Sequence, residues 1–220
     1  MKQFQHLMRA TLLSGVAAGV MLFVFQYFVV VPRIIAAESY EHADHEGRHH
    51  DAEWKPAEGL ERNYYTAAAT ILTGIGYAAL LLATASLTGL PFNARTGPYW
   101  GLAGFASFVF APALGLPPAP PGVPVADLAA RQLWWVLTAA ATATALLIIV
   151  KSSGRWIFYA AAGVLILLPH AAGAPQAVGL PVVPAHLIRE FSLASVAGNG
   201  LFWLYASENH RGRAPSTEVR

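Results

Sequence analysis

Residues 38–54 read ESYEHADHEGRHHDAEW and hold four of the eight histidines and six of the twelve carboxylates in the chain. Imidazole nitrogen ligates Zn, Cu, Fe and Ni, and by extension Co, while carboxylates add charge and hard oxygen ligands. On a helix, Glu38, Glu41, His42, His45 and His49 would share one face, because their spacings are three and four residues. Glu41, His42, His45, His49 and His50 are therefore candidate ligands for a divalent transition metal. Nothing in the run selects one metal, since affinities of a plain nitrogen–oxygen site rise from Co to Ni to Cu. A run this polar can also remain a solvated connection. His45-Glu46-Gly47-Arg48-His49 fits HExxH as well, in which two histidines hold zinc and the glutamate is general base. Gly47 weakens the helix that motif requires, and no third ligand is evident. A membrane metalloprotease is thus the enzyme alternative, and the reading adopted is a protein that is not an enzyme.

The remainder of the chain must position this run. Of 220 residues, 55% are hydrophobic and 12% charged, against roughly 25% charged in a soluble domain. Cysteine is absent, which removes disulfides, thiolate metal sites and haem attachment. A formal charge of +2 gives no basis for a nucleic-acid partner. Apolar runs at residues 10–31, 64–90, 98–114, 128–150, 156–172 and 184–207 approach or exceed the ~20 residues that cross a bilayer. The fold class expected is an all-α integral membrane protein, a bundle of about six transmembrane helices in one domain over residues 1–207. Residues 208–220 form a polar tail. The first run exceeds a secretory h-region and lacks a cleavage site, so it is expected to be retained. Pro32 is expected to end it. Gly15 and Gly19 form a GxxxG that admits a close helix neighbour. Residues 115–124, GLPPAPPGVP, form a stiff loop. Tyr64, Tyr65, Trp100, Trp134, Trp135, Trp156 and Trp203 fall near predicted helix ends, as interface anchors do.

Six helices place both termini on one side of the lipid bilayer. Eight basic residues accompany the termini and the second and fourth connections, against six on the opposite side. The positive-inside rule then predicts cytoplasmic termini, a bacterial inner membrane, and residues 38–54 outside. Glu38, Glu61, Asp127, His170, His186 and Glu190 share that outer side. Glu38, Asp127, His170 and Glu190 are candidates for a second metal site at the helix ends. Glu61 with Arg62, Asp127 with Arg131, and Arg189 with Glu190 are expected to pair or to cap helices. No Asp, Glu, His, Lys or Arg falls mid-span. Gln26, Asn199, Thr70, Thr73, Thr138, Thr142 and Thr144 are the polar groups there, expected to bond between helices. No Walker motif is present.

The segments VPRIIAAESYEHADHE, EWKPAEGLER, GLAGFASFVFAPALGLPP, ADLAARQLWW and LPHAAGAP occur in this order. They resemble the successive motifs of the CbtA family of predicted cobalt transporter subunits, over about residues 12–205. RQLWW and APALGLPP are the most specific blocks. The resemblance implies an integral membrane protein tied to cobalt supply for cobalamin, with Co2+ as transported ion and Ni2+ or Zn2+ as alternatives. It also implies a small His-bearing membrane partner, CbtB. Glu38, the histidine run and His170 match in place as ligands. Ala119 stands where the family usually has a carboxylate after the two prolines. The expected function is a membrane subunit of a cobalt uptake system that collects the ion outside. An accessory subunit that loads a separate permease is the alternative.

Overall fold

Long apolar runs leave the backbone no solvent partner inside a bilayer, so its N–H and C=O groups must be satisfied within helices. The computed structural model describes residues 2–44, 56–57 and 59–208, and among them there is helix, turn and coil but no strand. The elements are α1 (Lys2–Phe25), a π turn (Gln26–Val30), α2 (Val31–Asp44), α3 (Leu60–Thr88), α4 (Gly97–Phe105), a second π turn (Ala106–Phe110), α5 (Ala111–Gly115), α6 (Leu128–Lys151), α7 (Trp156–Ala172) and α8 (Ala185–Glu208). The stretches Thr11–Tyr40, Leu60–Thr88 and Leu128–Lys151 are long and apolar enough to cross a membrane, and Trp156–Ala172 is a shorter apolar helix. The chain is all-α with six helical segments, as its apolar runs predict.

The first helix departs from expectation. It does not stop at Pro32: α2 carries on through it to Asp44. Proline offers no N–H and its ring crowds the carbonyl four residues back. The π turn over Gln26–Val30 widens the helix just before Pro32, a usual site for absorbing such a misfit. The Arg33 guanidinium then donates to Val29 O. Residues 38–44 are consequently helical, and residues 45–55 lie outside those described.

Packing divides the chain into two units. One comprises Met1–Tyr27, Ala52–Leu102 and Gly198–Arg220; the other comprises Phe28–Asp51 and Ala103–Ala197. In the first, α1 and α3 approach until their backbones touch. A Cβ on Gly15 would lie 2.7 Å from Ile75 Cα, and one on Gly19 would lie 2.5 Å from Ile71 Cα. The GxxxG is therefore a helix contact, where dispersion replaces the hydrophobic drive that lipid cannot supply. Trp203 is buried rather than an interface anchor, with its ring 4.8 Å from that of Tyr77.

In the second unit, Ala37 of α2, Val183 of the α7–α8 connection and Leu187 of α8 form a small core, with Val123 and Ile188 against it. Val182 N–H donates to Gly122 O at 3.2 Å, which ties the two proline-rich connections together. Asp127 caps α6 by accepting from Ala130 N–H at 3.0 Å. Glu190 pairs with Arg33, Nε to Oε2 3.7 Å, rather than with its neighbour Arg189. The threonines also differ from expectation. Thr70 donates to Ala67 O and Thr138 to Trp134 O, each within its own helix. A hydroxyl on a helix reaches its own preceding turn without any neighbour having to move.

Candidate functional site

The second unit holds Glu38, Asp127, His170, His186 and Glu190. Ala37 is fully buried in its small core, which fixes the rotation of α2 and leaves Glu38 half-buried beside it. The same helix continues through Glu41 and His42. Glu41 and His42 stand three and four residues after Glu38 along it. His45, His49 and His50 lie outside the described residues. His186 and Glu190 are exposed on the first turns of α8. Among the described residues, no three His, Asp or Glu side chains gather where they could hold a metal ion.

His170 sits in the last turn of α7, half-buried. Its Nδ1 is 3.0 Å from Ile166 O and its Nε2 is 3.0 Å from Ala111 O. Both contacts are to acceptors, and a neutral imidazole has one N–H. The tautomer with the proton on Nδ1 donates to Ile166 O and turns the Nε2 lone pair to the Ala111 carbonyl; the tautomer with the proton on Nε2 donates to Ala111 O. A ring nitrogen donating to a backbone carbonyl while the other stays bare is the usual state of a metal-ligating histidine.

Trp134 sets this position. It is buried, its Nε1–H donates to Pro169 O at 3.2 Å, and its ring meets that of His170 edge-on at 5.7 Å. Pro169 lies inside α7, so the indole grips the turn that proline weakens. On the other side of Trp134 lies Gly115, where a Cβ would come within 2.7 Å of indole Cζ2. Only glycine lets the end of α5 lie over that ring. Trp134 is thus buried support for His170, and the expectation of an interface anchor is corrected.

Sequence reasoning named Glu38 and His170 as candidates but missed Trp134 beside His170, the Ala111 carbonyl, and Arg33 as the partner of Glu190. The available signal was the recurrence of Phe-Val-x-x-Pro at residues 28–32 and 108–112. Each marks a π turn within a continuous helix.

The family described as "Probable cobalt transporter subunit (CbtA)" matches residues 4–207, and the chain belongs to it. No curated protein and no solved structure matches the chain. Membership makes the protein a membrane-embedded cobalt transporter subunit, and the word subunit implies a partner.

Proposed function

We propose that the chain takes up Co2+ across a bacterial inner membrane, with both termini cytoplasmic and residues 38–54 outside. Glu41, His42, His45, His49 and His50 collect the ion, and Glu38 and His170 receive it. A small His-bearing subunit of the CbtB kind completes the transporter. Ni2+ and Zn2+ compete for the collecting ligands, since those ligands follow the general affinity order.

The observation that carries this reading is the pair His170 Nε2 and Ala111 O, 3.0 Å apart. Two ligands at right angles, each about 2.1 Å from a first-row ion, stand roughly 3 Å from each other. The pair therefore has the bite of a chelate, and in the tautomer with its proton on Nδ1 the two lone pairs face each other. The continuous helix from Glu38 to His42 supports transfer toward the membrane, because it puts the first ligands on one face.

A second reading is favoured by the absence of ionisable residues mid-span in the sequence, since ion carriers usually place them there. In it the chain binds the metal and hands it to a separate permease. Cobalt uptake by cells carrying this chain alone, against cells that also carry the small partner, separates the two. Uptake by the chain alone supports a conducting subunit; uptake only with the partner supports the accessory reading; no uptake in either contradicts both.

A further inference from the structure

Residues 173–184, which join α7 to α8, read GAPQAVGLPVVP and carry no charge. Gln176 is their one polar side chain, and its amide donates to Ala174 O at 2.9 Å. Residues 176–182 are all exposed, and Val178 and Leu180 are 96% and 89% exposed. Single exposed apolar residues are ordinary, but a contiguous exposed run marks an interaction surface. The tip is held where it stands. Val183 is buried against Ala37 and Leu187, and Val182 N–H donates to Gly122 O at 3.2 Å. Between Val178 and Leu180, Gly179 takes φ 125°, a conformation open to glycine. A Cβ there would lie 3.3 Å from Pro124 Cγ. Val178 and Leu180 cannot turn inward without breaking these contacts.

The occupant of this surface must suit both its side chains and its backbone. The N–H groups of Ala177, Val178, Gly179 and Leu180 meet no backbone acceptor. Irregular backbone with free polar groups is not tolerated against lipid in the hydrocarbon core, so the tip stands where water still reaches it. Pro175, Pro181 and Pro184 withhold N–H donors, so another chain cannot pair along the segment as a regular strand. The tip also continues a lipid-facing surface. Val164, Leu167 and Leu168 of α7 are exposed, as are Ala171, Ala172 and Gly173 after them.

We propose that the α7–α8 connection is an interfacial membrane anchor, with Val178 and Leu180 inserted at the boundary between lipid headgroups and acyl chains. Apolar side chains enter that boundary by about 5–10 Å, while the backbone keeps its water. The anchor fixes the last turn of α7, which carries His170, at the bilayer surface.

The chain has no cysteine, so Val178→Cys and Leu180→Cys can each carry a single environment-sensitive dye. The full chain is labelled and placed in phosphatidylcholine vesicles, alone and with the small partner. Leu167→Cys, on the exposed face of α7, serves as the lipid-facing reference, and Ala94→Cys, in the exposed α3–α4 turn, as the aqueous one. At positions 178 and 180 the emission should shift to the blue relative to position 94. It should be quenched by lipids brominated near the headgroup more than by lipids brominated near the chain ends, and less by aqueous iodide than at position 94. Quenching by iodide equal to that at position 94, with none by brominated lipid, would overturn the proposal. Protection from both quenchers in the chain alone would also overturn it, because protein would then cover the tip. Loss of lipid quenching when the partner is added would overturn it in favour of a docking site for that subunit. No cobalt enters the measurement, so its failure is distinct from failure of the cobalt reading.

Discussion

Gln26–Val30 and Ala106–Phe110 are both five-residue π turns. Each is followed two residues on by a proline, Pro32 or Pro112, and each holds the start of a Phe-Val-x-x-Pro motif that ends on that proline. The local solution is the same and the closure differs. At Pro32 the next residue turns back, and the Arg33 guanidinium serves Val29 O while pairing with Glu190. At Pro112 there is no adjacent charge; His170 reaches Ala111 O from another helix, and Trp134 holds His170 in place. Arg33 and Glu190 are 32% and 55% exposed, whereas Trp134, Ser107 and Thr142 are below 9%. A partly exposed guanidinium serves the first turn, whereas an unpaired charge at the buried second one would be expensive. The second carries neutral groups instead.

Substitutions at the two breaks should differ in size accordingly. Gly115→Val forces a side chain into the Trp134 indole and should destabilise the fold by about 1–3 kcal/mol. Gly163→Val, in α7 with nothing within 4 Å of the added Cβ, should change stability by roughly 0.5 kcal/mol or less. Thermal unfolding of both variants checks this, and equal losses would mean that the Pro112 break is not specially packed. Next in size, Trp134→Phe removes the donor to Pro169 O and should cost about 1 kcal/mol. It should also weaken cobalt binding, since support of a ligand by its neighbours is worth about tenfold or more in affinity. Loss of stability with unchanged binding would separate Trp134 from His170. The smallest effect belongs to the exposed break. Glu190→Gln should cost at most about 1 kcal/mol, and the difference should fade as salt is raised. A large, salt-independent loss would show that the Arg33 pair is no less critical than the buried closure.

Much of this fold was legible because its main signal is long. Six apolar runs produce helices whatever their detail, and observed ends such as Trp156–Ala172 lie close to those expected. Gly15 and Gly19 were legible because only small residues permit backbone contact. Pro32 misled, because its rule is local. Whether proline ends a helix or rides on a π turn depends on how the backbone before it is wound, and here a π turn precedes it. Trp134 and Trp203 misled for a related reason: position near a helix end does not say which way the ring faces. At the site, Glu38 and His170 were visible as polar residues in an apolar chain. The Ala111 carbonyl was not, since every residue has one and only the π turn before it distinguishes this one.

Cobalt uptake against concentration, in cells that also supply the small partner, tests the central claim most directly. Changing His42, His45, His49 and His50 to alanine should raise the half-saturating concentration and spare the maximal rate. A collecting run raises the local ion concentration but fixes no geometry. His170→Ala should lower the maximal rate, or change the preference among Co2+, Ni2+ and Zn2+, because selection requires fixed ligands. If His170→Ala takes up cobalt as the wild type does at every concentration while the four-histidine variant loses transport outright, the receiving site at the Pro112 break does not exist and the run itself is the gate.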